Sequence, residues 1–390
     1  MNSYLGYTEQ ELNRLKGYWT AKEITQQPEC WLQTLQIVQE CRPAIKAFMD
    51  KVFAHQNIRI VLTGAGTSAF AGKSLAPTLT EQLSCRVEAI ATTDIVSNPK
   101  QYFAEDIPTL LISFARSGNS PESVAAVELA NQCLSQCYHL VLTCNNEGEL
   151  YKNSINNENA LPLLMPEQTN DKSFAMTSSF SSMMLACLSV MLYGNDYTKD
   201  FESICRDSVQ SLKDFDSKIR NTINHEVDRV IYLGSGGLQG LAQESSLKLL
   251  ELTAGKVVAC YDSPLGFRHG PKSIVNEKTL VVVFVSNDEY TRKYDLDLLN
   301  ELRRDNIAFD VIAIAAQPDP RIESGTHFYV DKMAGATDAE LLFPYMLFAQ
   351  SYAFHCSLAL GNTPDNPCPT GEVNRVVQGV VIHDLSGNLK

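Results

Sequence analysis

The 390-residue sequence has no excess of positive charge: 32 Lys and Arg stand against 45 Asp and Glu, a formal net charge of −13. A field of that sign repels phosphate backbones and anionic lipid, so nucleic acid is not the expected partner. An anionic small ligand would have to be held by local donors. Cys-x-x-Cys pairs and histidine clusters are missing, and the 11 cysteines are scattered and odd in number. This argues against a disulfide framework and reads as reduced, mostly buried thiols. No group has metal-ligand spacing, and neither a Walker A loop nor a Gly-x-Ser-x-Gly elbow occurs. A basic stretch leading into an apolar one is missing from the first residues, so no secretory signal is visible and the cytoplasm is the expected location. One charge-free stretch, the 19 residues 174–192, reaches the length of a membrane span, but six of its residues are Ser or Thr, crowded toward its start. It reads as a buried helix with a polar beginning, and no membrane partner is expected.

What is present is an ordinary globular composition, 44% hydrophobic and 20% charged, long enough for two or three domains. The first 50 residues read as helix. Thr8-x-x-Glu11 and Thr20-x-x-Glu23 have capping-box spacing, and Trp31, Leu35, Val38, Ile45, Phe48, Met49 and Val52 recur near helical spacing. From residue 58, short β-branched runs alternate with longer helical stretches, the signature of βαβ units. These runs repeat: Gly64 and Gly234, Ser113 and Ser286, and His139 and Val311 pair at separations of about 170 residues. The pattern predicts an α/β protein with a helical segment over residues 1–50 and two duplicated domains, 51–215 and 216–390. Each would be a parallel sheet flanked by helices.

In such sheets ligands sit beyond the carboxyl ends of the strands. Gly64-Ala-Gly-Thr-Ser68 falls there and, with Ala69, matches the permissive dinucleotide fingerprint, Glu88 and Asp94 following as possible ribose ligands. The same glycines suit any phosphate that needs close backbone approach at a helix start. Ser113-Phe-Ala-Arg-Ser-Gly-Asn-Ser120 adds hydroxyls and one cation, the donors a terminal phosphate takes, although Ser, Asn and Gly also build plain turns and N-caps. Gly66, Thr67, Ser68, Ser113, Arg116, Ser117, Gly118 and Ser120 are therefore candidate ligand residues, with Thr177 and Ser178 as further hydroxyls.

In the second repeat, Glu244, Lys248 and Glu251 share one helix face. Such spacing commonly marks a solvent-facing ion-pair stripe, but the leucines around it leave little room for an exposed face. A carboxylate in an apolar surround beside a Lys has the tunable basicity of a general base. His269 lies in Ser263-Pro-Leu-Gly-Phe-Arg-His-Gly-Pro271, a Gly- and Pro-rich loop of the kind that can seat a functional imidazole, although a lone His is more often structural.

Gly64-Ala-Gly-Thr-Ser68, Ser113–Ser120, Glu244-x-x-x-Lys248-x-x-Glu251 and Arg268-His-Gly-Pro271, in that order over two repeats, resemble tandem sugar isomerase (SIS) domains, including the isomerase half of glucosamine-6-phosphate synthase. Over essentially the whole chain the sequence resembles the bacterial galactosamine-6-phosphate deaminase/isomerase family, formerly described as tagatose-6-phosphate ketose/aldose isomerases. The resemblance implies that Ser68, Ser117 and Ser120, with the backbone around Arg116 and Gly118, hold a sugar phosphate. It implies that Glu251 moves a proton between C1 and C2, that His269 assists ring opening from across a dimer interface, and that Glu244 and Lys248 orient and polarise the site. It further implies a homo-oligomer with shared active sites and chemistry that needs no metal or other cofactor. Gln378 stands where the synthase has a Schiff-base Lys, and no glutaminase half is present. The expected activity is conversion of galactosamine 6-phosphate to tagatose 6-phosphate and ammonia. The alternatives are a ketose/aldose isomerase without deamination, a non-catalytic sugar-phosphate sensor and, from the glycine fingerprint alone, a dinucleotide oxidoreductase.

Overall fold

A computed structural model of the chain describes residues 3–192, 197–371, 373–377 and 379–385. The described residues form two compact units. One comprises Cys30–Asp171, Ser178–Thr198 and the residues from Gly371 onward; the other comprises those up to Glu29, Lys172–Thr177 and Lys199–Thr370.

The first unit is built on the parallel strands β1 (Arg59–Thr63), β2 (Val87–Ala89), β3 (Thr109–Ala115), β4 (Cys137–Thr143) and β5 (Ala160–Leu164), ordered β2-β1-β3-β4-β5. β1, β3 and β4 are buried along their whole length, which is why they read as continuous apolar runs rather than alternating ones. The second unit carries β6 (Arg229–Leu233), β7 (Val258–Asp262), β8 (Thr279–Phe284), β9 (Asp310–Ala315) and β10 (His327–Tyr329), all parallel and ordered β7-β6-β8-β9-β10. The two orders are the same, so the duplication read from the sequence is a duplication of topology, and the α/β class with two helix-flanked parallel sheets is borne out.

Four helices position the residues of interest. In the first unit, α1 (Thr67–Leu83) follows β1 and α2 (Pro121–Cys133) follows β3; in the second, α3 (Gly237–Leu252) follows β6 and α4 (Thr291–Asp305) follows β8. Gly66 and Gly236, which start α1 and α3, have nearly identical backbone angles, φ 56° and ψ −125° against φ 55° and ψ −126°. That left-handed conformation is open to glycine at little cost. A side chain at Gly64 would place Cβ 2.5 Å from Ser68 Cβ, and one at Gly234 would place it 2.4 Å from the Leu238 carbonyl oxygen, so both turns exclude any larger residue.

The charge-free stretch is the helix α5 (Ser178–Met191), buried on almost every side. Its early hydroxyls are engaged inside the unit. Ser178 and Ser179 donate to the buried Asp171 carboxylate, and Ser181 accepts from the Trp31 indole N–H at 2.8 Å. Among the described residues no helix is long and apolar enough to cross a membrane. The second unit's last long helix is α6 (Asp338–Ala359), which packs against α3. All 11 cysteines are free thiols.

Candidate functional site

In the first unit β1 and β3 are adjacent, Thr63 lying opposite Ser113, and the chain leaves them toward opposite sides of the sheet order. Such a switch point opens a crevice at the carboxyl ends of the strands. Two loops line it: Gly64–Gly66 leading into α1, with Thr67 and Ser68 in the first helical turn, and Arg116–Ser120 leading into α2. Gly118 is left-handed (φ 65°), where Thr143 Oγ1 and Gly148 Cα would each sit 3.3 Å from an added Cβ. Ser120 is the N-cap of α2, its hydroxyl accepting from the Ser123 N–H at 3.3 Å. The Ser117 hydroxyl accepts from the Asn119 N–H at 3.3 Å, and the Ser117 carbonyl is fixed by the Asn145 amide at 2.8 Å. The two loops carry backbone N–H groups at helix starts and the Ser117 hydroxyl with no carboxylate among them, donors of the kind a phosphate takes, while the Ser120 hydroxyl donates to Ser123 Oγ at 2.6 Å and Thr67, Ser68 and Arg116 are buried.

The other candidate hydroxyls are placed differently. Ser113 lies inside β3 and is buried. Ser178 spends its proton on Asp171, and Thr177 is fully buried in a segment whose neighbour Ser173 donates to Glu23 at 2.5 Å. Sequence reasoning missed the groups that brace the crevice. Arg116 donates to the Arg375 carbonyl at 3.0 Å, and Arg375 in turn donates to the Asp171 carbonyl. Glu88, a possible ribose ligand, is instead bound to Arg59 at 2.6 Å and to Arg86 at 3.1 Å, which weakens the dinucleotide reading. Gln378 lies outside the described residues.

The equivalent crevice of the second unit, between β6 and β8, is filled by the protein's own carboxylates. Asp295 of α4 accepts from the Ser235 hydroxyl at 2.6 Å and from the Ser286 N–H at 2.9 Å. Asp338, opening α6, accepts from the Ser286 hydroxyl at 2.5 Å and from the Asn287 N–H at 2.8 Å. Burial pushes Asp295 up to about 6 and raises Asp338 in the same direction.

The second unit's distinctive group lies on α3. Glu244 and Lys248 are almost fully buried while the Glu251 side chain keeps 21% exposure. Lys248 Nζ is 3.4 Å from Glu244 and donates to Glu251. Burial works against the ammonium, but the two carboxylates outweigh it and hold the Lys248 pKa above its ordinary value. The three residues therefore form an interior network rather than a surface stripe, and of its two carboxylates only Glu251 opens to solvent.

His269 lies exposed in the loop after β7, between the short turn Pro264–Phe267 and Pro271. Phe267 packs with Ile231, Leu233 and the leucines of α4 on one face of the sheet. On the other face Tyr232 stacks on Phe284 and Phe284 on Tyr345 of α6, the helix against which α3 packs. Because successive side chains of a strand point to opposite faces, the His269 loop and the Glu251 helix occupy different layers of one sheet. Among the described residues no three His, Cys, Asp or Glu gather into a group able to hold a metal ion.

The duplicated sheets and their glycine-led crevices define the class of protein. The chain belongs to the SIS-domain family, whose domain model matches residues 53–193 and 225–356. Within it, the chain is similar to D-galactosamine-6-phosphate deaminase AgaS of Escherichia coli, 51% identical over 94% of this chain and 96% of that protein. It is similar also to D-galactosamine-6-phosphate deaminase AgaS of Shewanella sp. (strain ANA-3), 43% identical over 98% of this chain and 96% of that protein. Among solved structures, tagatose-6-phosphate ketose/aldose isomerase from Escherichia coli matches with a TM-score of 0.89 and 48% identity, covering 94% of this chain and 97% of that one.

Proposed function

We propose that the protein converts D-galactosamine 6-phosphate to D-tagatose 6-phosphate and ammonia. The observation that carries the chemistry is the interior Glu244–Lys248–Glu251 network with a single solvent-open carboxylate, Glu251, in a chain 51% identical to a relative named for that deamination.

Thr67, Ser68, Arg116, Ser117, Gly118 and Ser120 hold the 6-phosphate, and His269 helps the pyranose open to its aldehyde. Glu251 then takes the proton from C2. A proton passes from the substrate's ammonium nitrogen to O1, and the enolamine formed is planar across C1 and C2 and presents both carbons to one base, so the protonated Glu251 returns the proton at C1. The resulting C2 ketimine takes up one water and releases ammonia, leaving the ketose phosphate. Lys248 stays cationic and steadies the charge of the network, with Glu244 balancing it from the buried side. The placement of His269 and Glu251 in different layers of one sheet supports a homo-oligomer in which a second copy supplies the imidazole.

Purified protein incubated with galactosamine 6-phosphate should release ammonia and ketose phosphate in equal amounts, faster than with glucosamine 6-phosphate. Absence of ammonia from both sugars would contradict the deaminase. A second reading, aldose–ketose isomerisation of a sugar phosphate without nitrogen, is favoured by the name of the matched isomerase structure and uses the same Glu251 step. Turnover of tagatose 6-phosphate without any ammonia chemistry would select it.

A further inference from the structure

The loop that carries His269 is fastened to α4 on both sides of the imidazole. Before it, Arg268 Nη2 lies 2.9 Å from Glu301 Oε2; after it, Lys272 Nζ lies 2.5 Å from Glu301 Oε1 and 2.5 Å from Asp305 Oδ2. One carboxylate therefore uses each of its oxygens on a different cation of the same loop, with His269 between them. The side chains involved are half-buried, between 25% and 30% exposed, so this network differs from isolated surface pairs, which contribute little. Phe267, fully buried beside Leu298, Leu299 and Leu302, anchors the same loop from the core, and Gly270 at φ 118° lets the chain turn between the two ionic ties.

We propose that Glu301 is a positioning residue for His269, fixing the loop in the one conformation that presents the imidazole to substrate. The inference rests on the reading of His269 as the ring-opening group. Glu301 touches no reacting atom in this account: it acts through Arg268 and Lys272. Displacement of a working group by about 1 Å can cost up to about a hundredfold in rate, which sets the expected scale.

The test is a double-mutant cycle on the full chain, with ammonia release from galactosamine 6-phosphate, KM and thermal midpoint as readouts. Glu301→Gln keeps the shape and removes the charge. It should lower kcat between about ten- and a hundredfold, with KM changed less than threefold and the thermal midpoint nearly unmoved. In a His269→Asn background the same substitution should have no further effect on kcat, because the group it positions is already gone. Wild-type kcat in Glu301→Gln would overturn the proposal, and so would losses that multiply independently in the double variant. If His269→Asn alone leaves turnover intact, the reading of His269 itself falls and the positioning role with it. Should Glu301→Gln not fold, Lys272→Gln removes one of the two ties and carries the same cycle: a kcat loss that disappears in the His269→Asn background supports the proposal, and one that persists overturns it.

Discussion

The first and second sheets share one strand order and nearly identical glycine turns, yet their crevices have opposite chemistry. Between β1 and β3 the loops carry no carboxylate and the buried Arg116 donates to a backbone carbonyl; between β6 and β8 the Ser235, Ser286 and Asn287 donors are taken by the carboxylates of Asp295 and Asp338. On the proposed reading the first of these duplicated crevices is an anion cradle, and its counterpart is occupied by the chain's own carboxylates. A single phosphate per chain is then expected. The second domain's contribution shifts from its crevice to the helix behind it, where the Glu244–Lys248–Glu251 network lies.

That division can be broken in several places, the largest effect first. Glu251→Gln keeps the side-chain shape and removes the base, so turnover should fall by about 10² to 10⁴ while sugar phosphate still binds. An intact rate would move the chemistry elsewhere. Ser117→Ala should raise KM by about tenfold or more through loss of a hydrogen bond to a charged group, with kcat little changed, whereas Ser286→Ala in the second crevice should leave KM alone. Equal effects of the two in a steady-state assay would erase the distinction between the crevices.

Asp295 gives the closed crevice a pH signature. Burial holds its folded pKa at about 6, above the roughly 3.9 of an unfolded Asp, so the folded state binds this proton more tightly. Its contribution to stability is therefore complete below about pH 4 and lost as the pH rises through about 6, by an amount of order 3 kcal/mol. The stability of wild type measured relative to Asp295→Asn should therefore fall as the pH rises across that window, the curves separating toward high pH; parallel curves would contradict the assignment. Smallest are the paired turns. Gly64→Ala and Gly234→Ala both force a Cβ into occupied space and should each cost about 1–3 kcal/mol, but only Gly64→Ala should also weaken sugar-phosphate binding.

The sheets were legible because buried parallel strands print as apolar runs, and the duplication because glycines that must take left-handed turns recur at a fixed interval. The Ser120 N-cap and the shared face of Glu244, Lys248 and Glu251 follow from local spacing in the same way. Burial of that face was only hinted at by its leucines, and the helix it belongs to packs against α6, from nearly a hundred residues on. Long-range partners left no local signal. Asp171 and Arg375 are 204 residues apart. Asp295 and Glu301 look like ordinary acids on an amphipathic helix, and nothing in the spacing says that one closes a crevice while the other ties a loop. Ser178 reads as a ligand from its hydroxyl-rich surroundings, and the structure commits that hydroxyl to Asp171.

The most direct test of the division between the two sheets is a calorimetric titration of the Glu251→Gln variant with galactosamine 6-phosphate, since the variant should hold substrate without consuming it. One sugar phosphate bound per chain, with its affinity lowered about tenfold or more by adding Ser117→Ala, is the expected result. Two per chain, or none, would contradict it.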